Sequence, residues 1–169
     1  MSGEPVTKDE LFTVFEAARW APSCFNAQPW RFFYAMRESS DWLLFLSFLK
    51  ETNQVWADRA GALVVVASNT VFEAKGNPNA LATFDAGAAW GYLALQGSMN
   101  GLVVHGMAGF DFERAKTELG LPPAFKVEAM AAVGRPGSKD TLPAPLQERE
   151  KPSDRKPLSE VAVAGRYRA

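Results

Sequence analysis

Residues 21–30 read Ala21-Pro22-Ser23-Cys24-Phe25-Asn26-Ala27-Gln28-Pro29-Trp30, and the way the chain enters and leaves this stretch decides the rest. Pro22 and Pro29 bracket it; neither donates a backbone N–H, and each biases the residue before it away from helix, so the stretch is a loop. Upstream, Thr7-Lys8-Asp9-Glu10 is a capping box, with the Thr7 hydroxyl placed to accept from the Glu10 amide and the Glu10 side chain placed to reach back. Val6 and Leu11 stand at hydrophobic-staple spacing. A helix is therefore predicted to start at Lys8, to bury Leu11, Val14, Phe15 and Ala18, and to stop near Trp20 ahead of Pro22. Downstream, Trp30 to Met36 is aromatic-rich and bounded by Pro29 and Arg37-Glu38-Ser39-Ser40, which predicts a strand.

Working outward, Asp41 to about Thr52 predicts a helix, and its run Trp42-Leu43-Leu44-Phe45-Leu46 needs covering, a subunit interface being one place for that. Ala62 to Ser68 reads as a strand buried on both faces. Asn79 to Met99 is the expected central helix, with Ala80, Phe84, Ala88, Tyr92 and Leu95 at helical spacing. Gly87, Gly91 and Gly97 each cost such a helix about 1 kcal/mol relative to Ala, and close packing would explain them. Leu102 to His105 is a short strand, Asp111 caps a helix that ends at Gly120 and Pro122, and Val127 to Val133 is the last strand.

After Gly134 the periodicity fades, and five of the eleven prolines fall between Pro136 and Pro157. An extended arm over residues 135–169 is expected, within a single domain covering 1–169. Helices alternating with a few strands indicate an α/β or α+β sheet covered by helices.

Composition narrows the function. The chain has 169 residues, and 18 basic against 19 acidic side chains give it a net charge of -1, which is no electrostatic footprint for nucleic acid or an anionic membrane. One cysteine and one histidine exclude an internal disulfide and a Cys₂His₂ or His₃ metal site built from one chain. No stretch approaches the roughly 20 apolar residues that span a bilayer, and a cytoplasmic location is expected. No paired carboxylates or nucleophile elbow stand out, a silence that a bound cofactor would explain. On spacing alone, a helix end followed by a proline-bounded turn into a strand also accounts for residues 21–30.

Ala18-Arg19-Trp20-Ala21-Pro22-Ser23, then Asn26, then Gln28-Pro29-Trp30-Arg31-Phe32, resembles the FMN-binding signature of the nitroreductase family. The resemblance implies that Pro22, Ser23, Cys24, Asn26 and Gln28 hydrogen-bond or line the flavin ring, whose pyrimidine edge alternates donors and acceptors. A second similarity runs from Asp85-Ala86-Gly87-Ala88-Ala89 to Gly106-Met107-Ala108-Gly109-Phe110-Asp111, and implies that Asp85, Gly106, Met107, Ala108 and Gly109 belong to the cofactor site. Ala108 stands where many members carry an acid. A third, Arg155-Lys156-Pro157-Leu158-Ser159-Glu160-Val161, implies a contact from Arg155 to the FMN phosphate.

Together these imply an α+β three-layer fold, a mixed sheet flanked by helices, in an intertwined homodimer. They imply NAD(P)H as co-substrate and a nitroaromatic, quinone or similar small molecule as acceptor, with no side chain acting as chemical catalyst and no metal. The family's basic cluster ahead of the first helix has no counterpart in Met1 to Thr7. Lys8, Arg19, Arg31, Arg155 and Lys156 are the candidates to replace it, or the native chain starts further upstream. The alternative is a degenerate member with weak or no FMN binding, serving as a small-ligand binder or interaction protein. His105 and Cys24 are expected to be structural.

Overall fold

Thr7 opens the first helix as its spacing requires. In the computed structural model of the chain, which describes residues 1–74 and 76–166, the Thr7 side chain accepts from Glu10 N and the Glu10 carboxylate accepts from Thr7 N. Helix α1 spans Lys8–Arg19 and buries Leu11, Val14 and Ala18. Two compact units follow from the pattern of contacts, Met1–Ser138 and Lys139–Ala169; the last three residues of the expected arm, 167–169, lie outside the described residues.

The first unit is built on a four-stranded sheet of order β1-β2-β4-β3, with β1 at Trp30–Met36, β2 at Ala62–Asn69, β3 at Val103–Met107 and β4 at Phe125–Gly134. β2 and β4 are the inner strands, and β2 is buried at every residue, as its unbroken apolar run predicts. Period-two alternation then sorts the side chains into two layers. Leu63, Val65, Met130 and Ala132 face one core with Trp42, Phe45, Phe48 and Ala115, while Ala62, Val64, Ala131 and Val133 face the other with Leu11, Val14, Ala86, Ala89 and Leu93. The α+β layering is the one expected. The sheet differs in detail: all of its strand pairs are antiparallel where a mixed sheet was expected, because no parallel strand occurs among the described residues.

The helix expected over 41–52 is two helices, α2 (Trp42–Phe48) and α3 (Glu51–Ala57). Leu49 and Lys50 between them are extended, with ψ of 146° and 150°, so that Leu49 can form a β-bridge with Phe110. Trp42 and Phe45 are buried as expected, whereas Leu43 is 74% exposed. The central helix, α4, spans Ala82–Met99 and starts later than expected because the Asn79 side chain accepts from Leu81 N and its carbonyl from Ala82 N.

Glycines of α4 divide by face. A Cβ at Gly97 would collide with Val104 on β3, whereas nothing lies within 4 Å of one at Gly87 or Gly91. Helix α5 (Phe112–Glu118) is capped by the Asp111 side chain, which accepts from Arg114 N.

In β4 the register with β2 slips between Val66 and Ala67, leaving Glu128 as a bulge residue. Its carboxylate accepts from Ser68 Oγ, Thr83 Oγ1 and Lys126 Nζ, tying the sheet to the start of α4. In the second unit, the short helices α6 (Ala144–Arg149) and α7 (Leu158–Val161) each begin immediately after a proline, Pro143 and Pro157.

Candidate flavin-binding site

The loop at 21–30 leaves α1 through Trp20, whose N–H still bonds to Ala17 O, and Pro22 ends the ladder. Ser23 is extended; its carbonyl accepts from Asn26 N at 3.0 Å and its hydroxyl from Gln28 N at 3.0 Å. Three non-glycine residues here have left-handed backbones: Phe25 (φ 51°), Asn26 (φ 55°) and Gln28 (φ 47°). Each such residue costs about 1–2 kcal/mol, so the loop is held in a strained shape by its ties.

The ties are specific. Cys24 N donates to Asp85 Oδ2 at 3.0 Å, Gln28 Nε2 donates to Asn26 O at 3.1 Å, and Arg31 Nη1 donates to Gln28 O at 3.1 Å while its Nη2 meets Glu73 at 2.7 Å. Phe25, 92% exposed, rests edge-on against Phe72.

Asp85 was expected to meet the cofactor. Its carboxylate, only 3% exposed in the first turn of α4, anchors the loop through the Cys24 amide. A carboxylate is favoured there by the partial positive charge of the helix N-terminus.

The second expected segment is the turn after β3. Met107 ends the strand with its side chain in the core, so it can offer a ligand only its backbone. A Cβ at Gly106 would lie 2.9 Å from the Trp90 ring, and one at Gly109 would lie 2.6 Å from Asn53 Nδ2, so both positions require glycine for close approach. Gly109 O accepts from Lys50 N at 2.9 Å and from Asn53 Nδ2 at 3.0 Å. The main-chain N–H groups of Ala108 and Gly109 have no acceptor among the described residues. Beside this turn, His105 packs against Trp56 with ring centroids 4.7 Å apart.

Both segments hang on α4, the loop at Asp85 and the turn at Trp90. Five residues of helix separate these anchors by about 7.5 Å along the axis and roughly 140° around it, so the two segments flank the helix. Asn53 and Trp90 carried no motif and were not read from the sequence as site residues. A concavity of about 470 Å³ lies between residues 47–50 and 110–114, lined by neither residues 21–30 nor residues 106–109.

The basic candidates are largely engaged. Arg19 pairs with Glu16 at 2.6 Å, Arg31 with Glu73, and the Lys8 ammonium sits 5.3 Å from the Phe12 ring. The hydrogen bond from Arg19 holds the Glu16 carboxyl down at about 2. Arg155, in the second unit, donates to Ser153 O and Oγ and to Asp154 O. Cys24 is a free, half-buried thiol. Among the described residues no group of His, Cys, Asp and Glu could hold a metal, and no helix is long and apolar enough to cross a membrane.

A family profile described as the Nitroreductase family matches residues 2–41, which include the strained loop and the helix that feeds it. A solved structure of an oxidoreductase containing FMN is 45% identical, with a TM-score of 0.94 over 99% of this chain and 86% of its own. The chain belongs to the nitroreductase family. This nitroreductase-family chain is also similar to an uncharacterised 15.4 kDa protein of Mycolicibacterium smegmatis, 34% identical over 72% of this chain and 82% of that protein. A protein named NADH dehydrogenase from Thermus thermophilus is 29% identical over 95% of this chain and 87% of its own length. As a member of the family, the chain is an oxidoreductase.

Proposed function

We propose that this oxidoreductase binds FMN and, as a cytoplasmic homodimer, passes hydride from NAD(P)H to a nitroaromatic, quinone or similar small acceptor. The observation that carries the reading is the pair of adjacent main-chain amides, Ala108 and Gly109, left without acceptors among the described residues in a turn kept open by glycine. Fixed N–H groups of this kind suit a ring nitrogen whose electron density rises on reduction. FMN bound there would supply the two-electron chemistry, accepting hydride from one substrate and delivering it to the next.

The chain's own residues bind and orient. Pro22, Ser23, Cys24, Asn26 and Gln28 present the ring edge with backbone and amide groups, Gly106 to Gly109 present amides to the face or edge opposite, and Arg155 supplies a guanidinium for the phosphate. Asp85 acts one step back, by holding the loop. The similarity to an oxidoreductase that contains FMN, and to a protein named NADH dehydrogenase, supports both the cofactor and the nicotinamide donor.

A second copy is the partner the surface favours. Phe84, Tyr92, Leu95 and Met99 lie at helical spacing on α4, with Phe84 at 74% and Leu95 at 63% exposure, and Gly91 lies open beside them. A helix apolar all round is ordinarily buried. Because the loop and the turn flank α4, a copy packed on that helix could set its turn opposite this chain's loop, completing the site.

One observation favours the alternative, a member with weak or no FMN binding: Arg19 and Arg31, placed beside the loop, already have carboxylate partners. The visible spectrum of the purified protein, washed after adding FMN and then treated anaerobically with NADH, separates the two. Retained flavin bands that bleach support the proposal; a colourless protein after washing sinks it in favour of the alternative.

A further inference from the structure

Gly109 is constrained twice by one side chain. The Asn53 amide donates to its carbonyl at 3.0 Å, and the same Nδ2 occupies the space a Cβ at 109 would need. The second donor to that carbonyl, Lys50 N, comes from the extended break between α2 and α3, and Asp111 N donates to Phe48 O across the same seam. A peptide plane whose carbonyl is held by two donors does not rotate freely. Gly109 otherwise gives the turn wide conformational freedom, so its shape depends on tertiary bonds of this kind.

We propose that Asn53 is a positioning residue of the flavin site: acting through the Gly109 carbonyl, it holds the turn so that the Ala108 and Gly109 amides face the bound ring. This rests on the FMN reading above, although its first test does not. Asn53 sits in the first turn of α3, which meets the turn through this amide and packs Trp56 against His105 on the strand that leads into it. The break after α2 then has a purpose: it brings a main-chain donor and a side-chain donor to one carbonyl.

The first measurement is hydrogen exchange in flavin-free protein, comparing wild type with Asn53→Ala and with Asn53→Asp, which keeps the shape and loses the donor. The Lys50 and Asp111 amides, which are hydrogen-bonded across this seam, should exchange at least about tenfold faster in both variants while amides of β2 and β4 stay unchanged. FMN titration should then show a dissociation constant weakened by about tenfold, the scale of one neutral hydrogen bond. The flavin midpoint potential should move as well, which a purely structural loss would not cause. Gly109→Ala drives a methyl group into the Asn53 amide, so the double variant Asn53→Ala/Gly109→Ala should lose less than the sum of the two singles. Unchanged exchange at Lys50 and Asp111, an unmoved potential, or strict additivity overturns the proposal. Faster local exchange in the variants, with no FMN binding by wild type, would sink the functional reading while Asn53's hold on the turn stands.

Discussion

Replacing Asp85 by alanine removes the tie between α4 and the loop at 21–30, and its cost can be worked from what the carboxylate touches. Asp85 Oδ2 accepts the Cys24 amide at 3.0 Å with the side chain almost fully buried. A hydrogen bond to a charged acceptor contributes about 1.5–3 kcal/mol, and the first-turn position on α4 adds about 0.3–1 kcal/mol through the helix dipole. Carboxylate burial carries a desolvation cost that the substitution relieves, so a net loss of about 2 kcal/mol is expected. For a chain of this size that lowers Tm by about 4–8 °C. Asp85→Asn keeps an oxygen acceptor and should lose about half as much. The loop holds three left-handed non-glycine residues, and without the tie it relaxes, so FMN must rebuild that shape on binding. FMN affinity should fall at least about tenfold, equivalent to about 1.4 kcal/mol. Differential scanning fluorimetry without flavin and fluorescence titration with FMN read the two effects. An Asp85→Ala protein with wild-type Tm and wild-type affinity refutes the assignment of Asp85 as the loop's anchor.

Two further outcomes follow from the same geometry. Gly97→Ala should destabilise by about 1–3 kcal/mol because the methyl meets Val104. Gly91→Ala, on the open face, should raise monomer stability by about 0.5–1 kcal/mol yet weaken self-association in sedimentation velocity; unchanged association would count against α4 as the dimer seat. Acid should also destabilise. Burial pushes the Glu128 carboxyl up, but Lys126, Ser68 and Thr83 outweigh it, and the Thr7 backbone amide and Arg135 hold Glu10 down, so both sit below the usual 4.5. A folded-state value below the unfolded one gives stability that is complete above the unfolded value and lost as pH falls through the folded one. Denaturant midpoints should therefore fall as the pH drops below the usual 4.5, less steeply in Lys126→Met; identical slopes would refute the role given to Lys126.

What was legible in the sequence was local. The capping box at Thr7 and Glu10 lies within one helical turn, and the run Leu63-Val64-Val65-Val66 could be read as a strand without knowing its neighbours. The break at Leu49 and Lys50 was not legible, because nothing in Phe48-Leu49-Lys50-Glu51 disfavours helix; the pairing partner, Phe110, lies far along the chain. The same distance hid Asn53, whose acceptor is 56 residues away, and the bond from the Cys24 amide to Asp85, which is 61 away. The segments Pro22 to Gln28 and Gly106 to Gly109 could be picked out by resemblance. The residues that hold them in shape could not, since a tether needs only a donor or an acceptor at the right place, and many residue types supply one.

The three left-handed residues of the loop bear on how this chain would respond to engineering. Glycine at 25, 26 or 28 would adopt the observed backbone without strain, and a sequence optimised for thermostability alone would place it there. The chain instead carries a phenylalanine, an asparagine and a glutamine, which is the pattern of a segment selected for what it presents rather than for how firmly it folds. Consensus-style stabilisation of this protein should therefore leave residues 23–28 alone and work on α1, the sheet and the solvent face of α5, where local preference and tertiary structure already agree.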